Sequence, residues 1–210
     1  MMVGIDFDNT IACYDAVYHA IVSDMKIVPT DTLANKTAIR DYLRLAGRED
    51  DWTELQGYIY GDGMRKAEPF PGVSEFISTC ASLDIDICII SHRTREPYVG
   101  PKVDLHAKAR EWLEQHGIIS SREKGLTHSA AFFELTKSDK LLRITLQSCD
   151  WFVDDLPEFL MEPEFPSATR AVLFDPGSIH SQTSESNQMT VRTSWAGVQK
   201  LILAEDGQGE

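Results

Sequence analysis

Met2-Val3-Gly4-Ile5-Asp6-Phe7-Asp8-Asn9-Thr10 is the stretch that decides the fold. Residues 2–7 alternate in apolar character and run into a carboxylate, which predicts a short buried strand handing Asp6 to a loop. Residues 85–90 read Ile-Asp-Ile-Cys-Ile-Ile, nearly apolar throughout, as suits a central parallel strand covered on both faces. Residues 130–135, 151–153 and 171–174 are further strand candidates. Helical spacing falls between them, at 73–83, at 105–116 before the stop signal Gly117, at 138–147 with Ser138 as N-cap, and at 195–203. Strands alternating with helices predict a doubly wound α/β domain with a parallel, Rossmann-like sheet. Residues 176–190 are polar and turn-rich and read as a loop, and residues 205–210 as a frayed tail.

Residues 14–69 have a different texture. Apolar residues recur at helical spacing in 14–25, in 37–46 (Ile39, Tyr42, Leu43, Ala46) and in 51–60 (Trp52, Leu55, Ile59). Pro29 and Gly61-Asp62-Gly63 interrupt them, and Pro69-Phe70-Pro71-Gly72 returns the chain to the main domain. The division is therefore a core of residues 1–13 and 70–204 with a small helical insert, 14–69. Both joints lie beside Asp6–Thr10, and few residues remain to anchor the insert, so a hinge is expected there. Lys36, Arg40 and Arg44 share one helix face, ordinarily a solvated one, that could meet an anionic substrate.

Composition narrows the function. Apolar residues make up 42 % of the 210, enough for a substantial core. The net charge of −13, with no Lys/Arg run, repels nucleic acid and argues against such a partner. No apolar run reaches the roughly 20 residues of a membrane span, and acidic Asp6 arrives too early for a signal peptide. The four cysteines, Cys13, Cys80, Cys88 and Cys149, form no CxxC pair, so no zinc site is expected, and the lack of a long apolar run argues against a membrane partner. A cytoplasmic protein with reduced thiols follows.

In open parallel sheets ligands bind beyond the carboxyl ends of the strands. Asp6, Ser91 and Asp154-Asp155 each follow a predicted strand, so with Asp8 four carboxylates converge on one rim. Carboxylates that close repel unless a cation lies among them, and hard oxygen ligands favour Mg²⁺.

Here the chain resembles the haloacid dehalogenase-like superfamily. Asp6-Phe7-Asp8-Asn9-Thr10 fits its first motif, Ser91 with His92-Arg93 the second, Lys140 the third, and Asp154-Asp155-Leu156-Pro157-Glu158 the acidic fourth. The resemblance spans about residues 2–175 and implies a Mg²⁺-dependent phosphatase of small phosphate esters. It makes Asp6 the nucleophile and Asp8 the acid and base. It gives Ser91 to a phosphoryl oxygen and Lys140 to charge neutralisation, with Lys137 as the alternative lysine. Asp6, Asp8 through its carbonyl, and Asp155 or Asp154 would hold the metal, with Asp155 preferred. Asn9, Thr10, His92 and Arg93 are candidate substrate contacts, Asn9 standing where the family commonly has Gly. The insert matches the family's first class of helical cap, which closes over the site and suits a small substrate. Transfer of the phosphoryl group to an alcohol, or a non-catalytic binding role, are the competing readings. The intact Asp6, Asp8, Ser91 and Asp155 set speaks against the second.

Overall fold

The computed structural model describes residues 1–119, 126–127, 130–180 and 189–206, with the backbone alone for residues 205 and 206. The chain opens with β1 (Met2–Ile5) and β2 (Ala12–Cys13). The insert follows: α1 (Asp15–Ala20) running into a π-helical turn at Ile21–Met25, α2 (Lys36–Leu45), α3 (Glu49–Tyr60) and a 3₁₀ turn at Asp62–Lys66. β3 (Glu68–Pro69) returns to α4 (Val73–Ser82), β4 (Asp86–His92), α5 (Leu105–Gln115), β5 (Ala131–Glu134) and α6 (Lys137–Leu146). β6 (Trp151–Asp154), α7 (Pro157–Leu160), β7 (Arg170–Phe174), β8 (Met189–Arg192) and α8 (Trp195–Asp206) complete the described chain.

Six parallel strands form the main sheet in the order β5-β4-β1-β6-β7-β8. β1 is the switch point, because the chain leaves it toward β4 and β5 and then crosses back to β6. Ile5 pairs with Ile89 on one side and Val153 on the other, so β1 and β6 end almost together while β4 runs on to His92 beside them. Gly4 makes this centre possible: a Cβ there would meet the Phe152 ring at 2.6 Å and Cys149 Sγ at 2.9 Å. Any side chain would push β1 off β6, the strand that carries Asp154.

The expected doubly wound α/β architecture is the observed one, with several local differences. Thr136, not Ser138, caps α6, its hydroxyl accepting from the Asp139 N–H at 3.0 Å. The short β8 falls where the sequence reads as loop, since Met-Thr-Val-Arg is too brief to show an alternation. Residues 181–188 of that polar stretch lie outside the described residues, as do 207–210 of the tail, and α8 extends to Asp206.

The joints of the insert differ most from the sequence expectation. β2 and β3 pair antiparallel, Ala12 with Pro69 and Cys13 with Glu68, so the two connections form one ribbon. Tyr14, Val17, Ile39, Leu43, Trp52, Leu55 and Ile59 belong to the same apolar cluster as Val3, Ile5, Phe7 and Trp112. The Trp112 indole N–H donates to the Ala67 carbonyl at 2.9 Å. The insert is thus anchored by shared core rather than loosely hinged, because its apolar helix faces have no other surface to bury against. No helix among the described residues is long and apolar enough to cross a membrane.

Candidate active site

The Asp6 N–H donates to the Val153 carbonyl at 2.8 Å, which sets Asp6 beside Asp154 on the next strand. Ser91 Oγ, near the end of β4, donates to Asp6 Oδ1 at 2.9 Å. Lys140 Nζ, from the first turn of α6, donates to Asp6 Oδ1 and to Asp154 Oδ2, both at 2.6 Å. Asp154 Oδ1 accepts the Leu156 N–H at 2.9 Å. Lys137 lines the cavity above but makes no ion pair with Asp6, so Lys140 occupies the position that sequence left open between the two.

Each of these groups is buried, and burial of charge is costly unless paired. Lys140 is only 3 % exposed, yet its ammonium lies 4.2 Å from the Phe159 ring centre and 5.4 Å from that of Phe152. Burial works against its charge, but Asp154 and Asp6 outweigh burial and hold the ammonium above its ordinary value. Burial pushes the Asp6 carboxyl up to about 7, against the pull of Lys140, and Asp154 and Asp8 add to the rise.

Asp8 is held differently. Arg93 Nη1 reaches both its oxygens, at 2.6 and 2.8 Å, and the Tyr14 hydroxyl donates to Oδ1. Arg93 Nη2 donates to the Tyr60 carbonyl of α3 at 2.6 Å, so one guanidinium links the catalytic loop to the insert. Arg93 is buried and packs over the Phe7 and Tyr60 rings. Its two terminal nitrogens are engaged by Asp8 and the Tyr60 carbonyl, its buried Nε has no hydrogen-bond partner among the described residues, and it lines the cavity, so it positions Asp8 at the cavity wall.

The oxygen donors fit a divalent cation. Asp6, Asp154 and Asp155 each bring a carboxylate oxygen within 4.8 Å of the others. Asp154 is occupied by Lys140 and Leu156, whereas Asp155 has no protein partner among the described residues. Burial, then Asp154 and Asp6, push the Asp155 carboxyl well above its usual range. A carboxylate left unpaired among two others at a strand end is a ligand position for a hard cation.

A cavity of about 270 Å³ opens over this cluster. Asp6, Asp8, Asn9, Ser91, His92, Lys140 and Asp155 line its floor. Thr10 does not line it: buried, it turns Oγ1 to Asp6 Oδ2 at 3.5 Å and gives its carbonyl to the Trp195 indole at 3.1 Å. Its hydroxyl is turned to Asp6 and not into the cavity, unlike the substrate contact expected of it. Asn9 has φ of +60°, the left-handed region where Gly is at ease and Asn is the common substitute. His92 shares a ring nitrogen with the Leu135 carbonyl at 3.2 Å, and burial draws its imidazole below its usual value.

Sequence reasoning singled out Lys36 of the roof but missed most of the helix face beside it. Lys36 of α2 and Thr53, Gln56, Gly57 and Tyr60 of α3 line the cavity from above. The α3 residues fall at i, i+3, i+4 and i+7, one helix face beside the buried Trp52, Leu55 and Ile59. That face was readable as a stripe of small and polar residues, but not as the one turned toward Asp6.

No family model and no curated protein sequence matches the chain. Solved structures share its fold. One is a predicted phosphoglycolate phosphatase from Haemophilus somnus, with a TM-score of 0.58 at 12 % identity over 96 % of this chain and 97 % of that one. A haloacid dehalogenase-like family hydrolase from Deinococcus radiodurans, solved with bound phosphate and sodium, gives 0.57 at 13 % over 98 % and 96 %. The L-2-haloacid dehalogenase of Xanthobacter autotrophicus gives 0.53 at 13 % over 97 % and 98 %. The chain has the fold of the haloacid dehalogenase-like hydrolases.

Proposed function

We propose that the protein is a Mg²⁺-dependent phosphomonoester hydrolase of a small phosphorylated metabolite, acting through an aspartyl-phosphate. The observation that carries this reading is Asp6, buried at the end of β1 and held by Ser91 and Lys140 beside the unpaired Asp155. A carboxylate oxygen of Asp6 attacks phosphorus while the bond to the leaving oxygen breaks and Asp8 gives that oxygen a proton. Water then attacks phosphorus, Asp8 takes its proton, and Asp6 is released as carboxylate. Ser91 and Lys140 hold Asp6 Oδ1 and face the phosphoryl oxygens. Arg93 and Tyr14 fix where Asp8 points. Asp6, Asp155 and the Asp8 carbonyl would hold Mg²⁺, with Asp154 behind them, and the ion supplies charge neutralisation on the phosphoryl group.

Asp8 also sets the reaction class. Dehalogenation of a haloacid needs no acid at this position, whereas an ester's leaving oxygen does. The insert roofs the cavity closely, which supports a small ester over a phosphoprotein. Residues 14–69 serve here as the cap, and the net charge of −13 supports a cytoplasmic enzyme without nucleic-acid or membrane partners.

The test is turnover of small phosphate esters with and without metal. Activity should appear with Mg²⁺, vanish on exhaustive chelation and fall when Ca²⁺ replaces Mg²⁺. Full turnover in chelator would exclude the metal-assisted mechanism.

A further inference from the structure

Three cations lie along one face of α2, and the structure separates them. Arg40 pairs with Asp41 at 2.8 Å, and Arg44 with Glu49 at 2.8 Å. Lys36 has no carboxylate within ion-pair distance among the described residues, although it is half-buried and lines the cavity. Its place is also poor for the helix. Lys36 is the first residue of α2, just after the N-cap Asn35, where the unpaired N–H groups already carry partial positive charge. A cation there destabilises a helix end, so the residue breaks a local rule without a structural return.

The surroundings show what is missing. Tyr60, then Asp155 and Asp8, outweigh burial and hold the Lys36 ammonium above its ordinary value, so it is charged. At the floor Lys140 is taken by Asp6 and Asp154, and Arg93 by Asp8. Lys36 is the charged group of the roof, on the insert rather than on the rim. Gln56 beside it also lacks a protein hydrogen bond among the described residues. Together they offer one ammonium and one amide across a short cavity from Asp6.

We infer that Lys36 and Gln56 form a second anion subsite, so that the substrate is a short phosphate ester carrying another anionic group, a carboxylate or a second phosphate, at its far end. This rests on the phosphatase reading above. An ester held at both ends is oriented for in-line attack by Asp6, and a neutral-tailed ester leaves the half-buried ammonium without a counter-charge.

Three matched esters test this: propyl phosphate, its analogue with a terminal carboxylate, and its analogue with a terminal phosphate. The quantity read is the ratio of kcat/KM for each anionic-tailed ester to that for propyl phosphate, in wild type, Lys36→Gln and Lys36→Arg. A charged hydrogen bond predicts a wild-type ratio of about tenfold or more for one of the two anionic tails, and which one identifies the group. Lys36→Gln should bring that ratio near unity, and Lys36→Arg should retain most of it. An equal loss on all three esters would place Lys36 on the transferred phosphoryl group and overturn the inference, as would an unchanged ratio. Calorimetric binding of the same esters to the Asp6→Asn protein gives a readout independent of turnover. If no ester is hydrolysed, the phosphatase reading fails while the binding preference and its loss in Asp6→Asn/Lys36→Gln are still measured. Equal affinities for all three esters would overturn the subsite itself.

Discussion

At the rim of the sheet Asp6 is gripped by Ser91 and Lys140, Asp154 by Lys140 and Leu156, and Asp8 by Arg93 and Tyr14. Across the same cavity, Lys36 and Gln56 of the insert reach into space with no protein partner among the described residues. Both regions are polar and withdrawn from bulk water, but only one is satisfied by the protein. Groups that meet the same phosphoryl centre in every turnover gain from being held in place beforehand. Groups that recognise one particular molecule gain affinity by being left for that molecule to satisfy. Asp155, which has no protein partner among the described residues, is an exception on the rim that suits the cation proposed there.

The contrast breaks most readily at Asp6. Asp6→Asn should lower turnover by more than about a thousandfold, as loss of a covalent nucleophile does. Steady-state rates on any accepted ester decide it, and residual activity above that level would remove Asp6 from the role.

The next effect is on stability. Lys140→Met leaves Asp6 and Asp154 as unpaired buried charges, so unfolding should become easier by about 3–5 kcal/mol. Its counterpart on the roof, Gln56→Ala, should stay within about 0.5 kcal/mol, since no protein hydrogen bond among the described residues is lost. Denaturant titrations of both proteins give the comparison, and similar values for the two would erase the distinction between satisfied and unsatisfied regions.

Arg93 sharpens it further, being the strut between the regions. Arg93→Gln frees Asp8 and should cost roughly a hundredfold in kcat with a smaller change in KM, and should reshape the limbs of the pH–rate profile. Arg93→Lys should recover part of kcat, because an ammonium can hold one oxygen of Asp8 where the guanidinium nitrogen reaches both. A loss confined to KM would mean that Arg93 touches substrate instead.

The smallest effect is expected at Thr136, the cap of α6. Thr136→Ala should cost about 1 kcal/mol of stability with kcat lowered only slightly, since Lys140 one turn on remains tied to Asp6 and Asp154. Thermal unfolding read beside kcat checks this, and a large fall in kcat alone would show that the cap sets the lysine's position.

Much of the core was legible in the sequence because its signals are local. Apolar runs ending at Asp6, Ser91 and Asp154 identify parallel strands, and in such sheets strand ends are where ligands sit. The N-cap of α6 was misplaced by two residues because Thr136 and Ser138 are equally plausible caps until the Asp139 N–H is seen to choose one. β8 escaped because four residues at a sheet edge carry too little pattern. Thr10 was recognised as part of the site but does not line the cavity, and Arg93 lines it while also holding Asp8, since a motif states proximity to the reaction and not where a side chain points. The insert was found as helices, yet its anchoring was underestimated because composition cannot say that its apolar faces share a core with Phe7 and Trp112.

By itself the sequence pointed to the strand–helix alternation, the helical insert, and Asp6, Asp8 and Ser91 with a lysine and an aspartate still to be chosen, because propensity and strand-end position are properties of neighbouring residues. Only the tertiary structure decided that Lys140 rather than Lys137 reaches Asp6, that Arg93 holds Asp8, and that, among the described residues, Lys36 alone on its helix face lacks a carboxylate. Those outcomes depend on which side chains meet across elements far apart in the chain, and burial makes each such pairing or its absence energetically consequential.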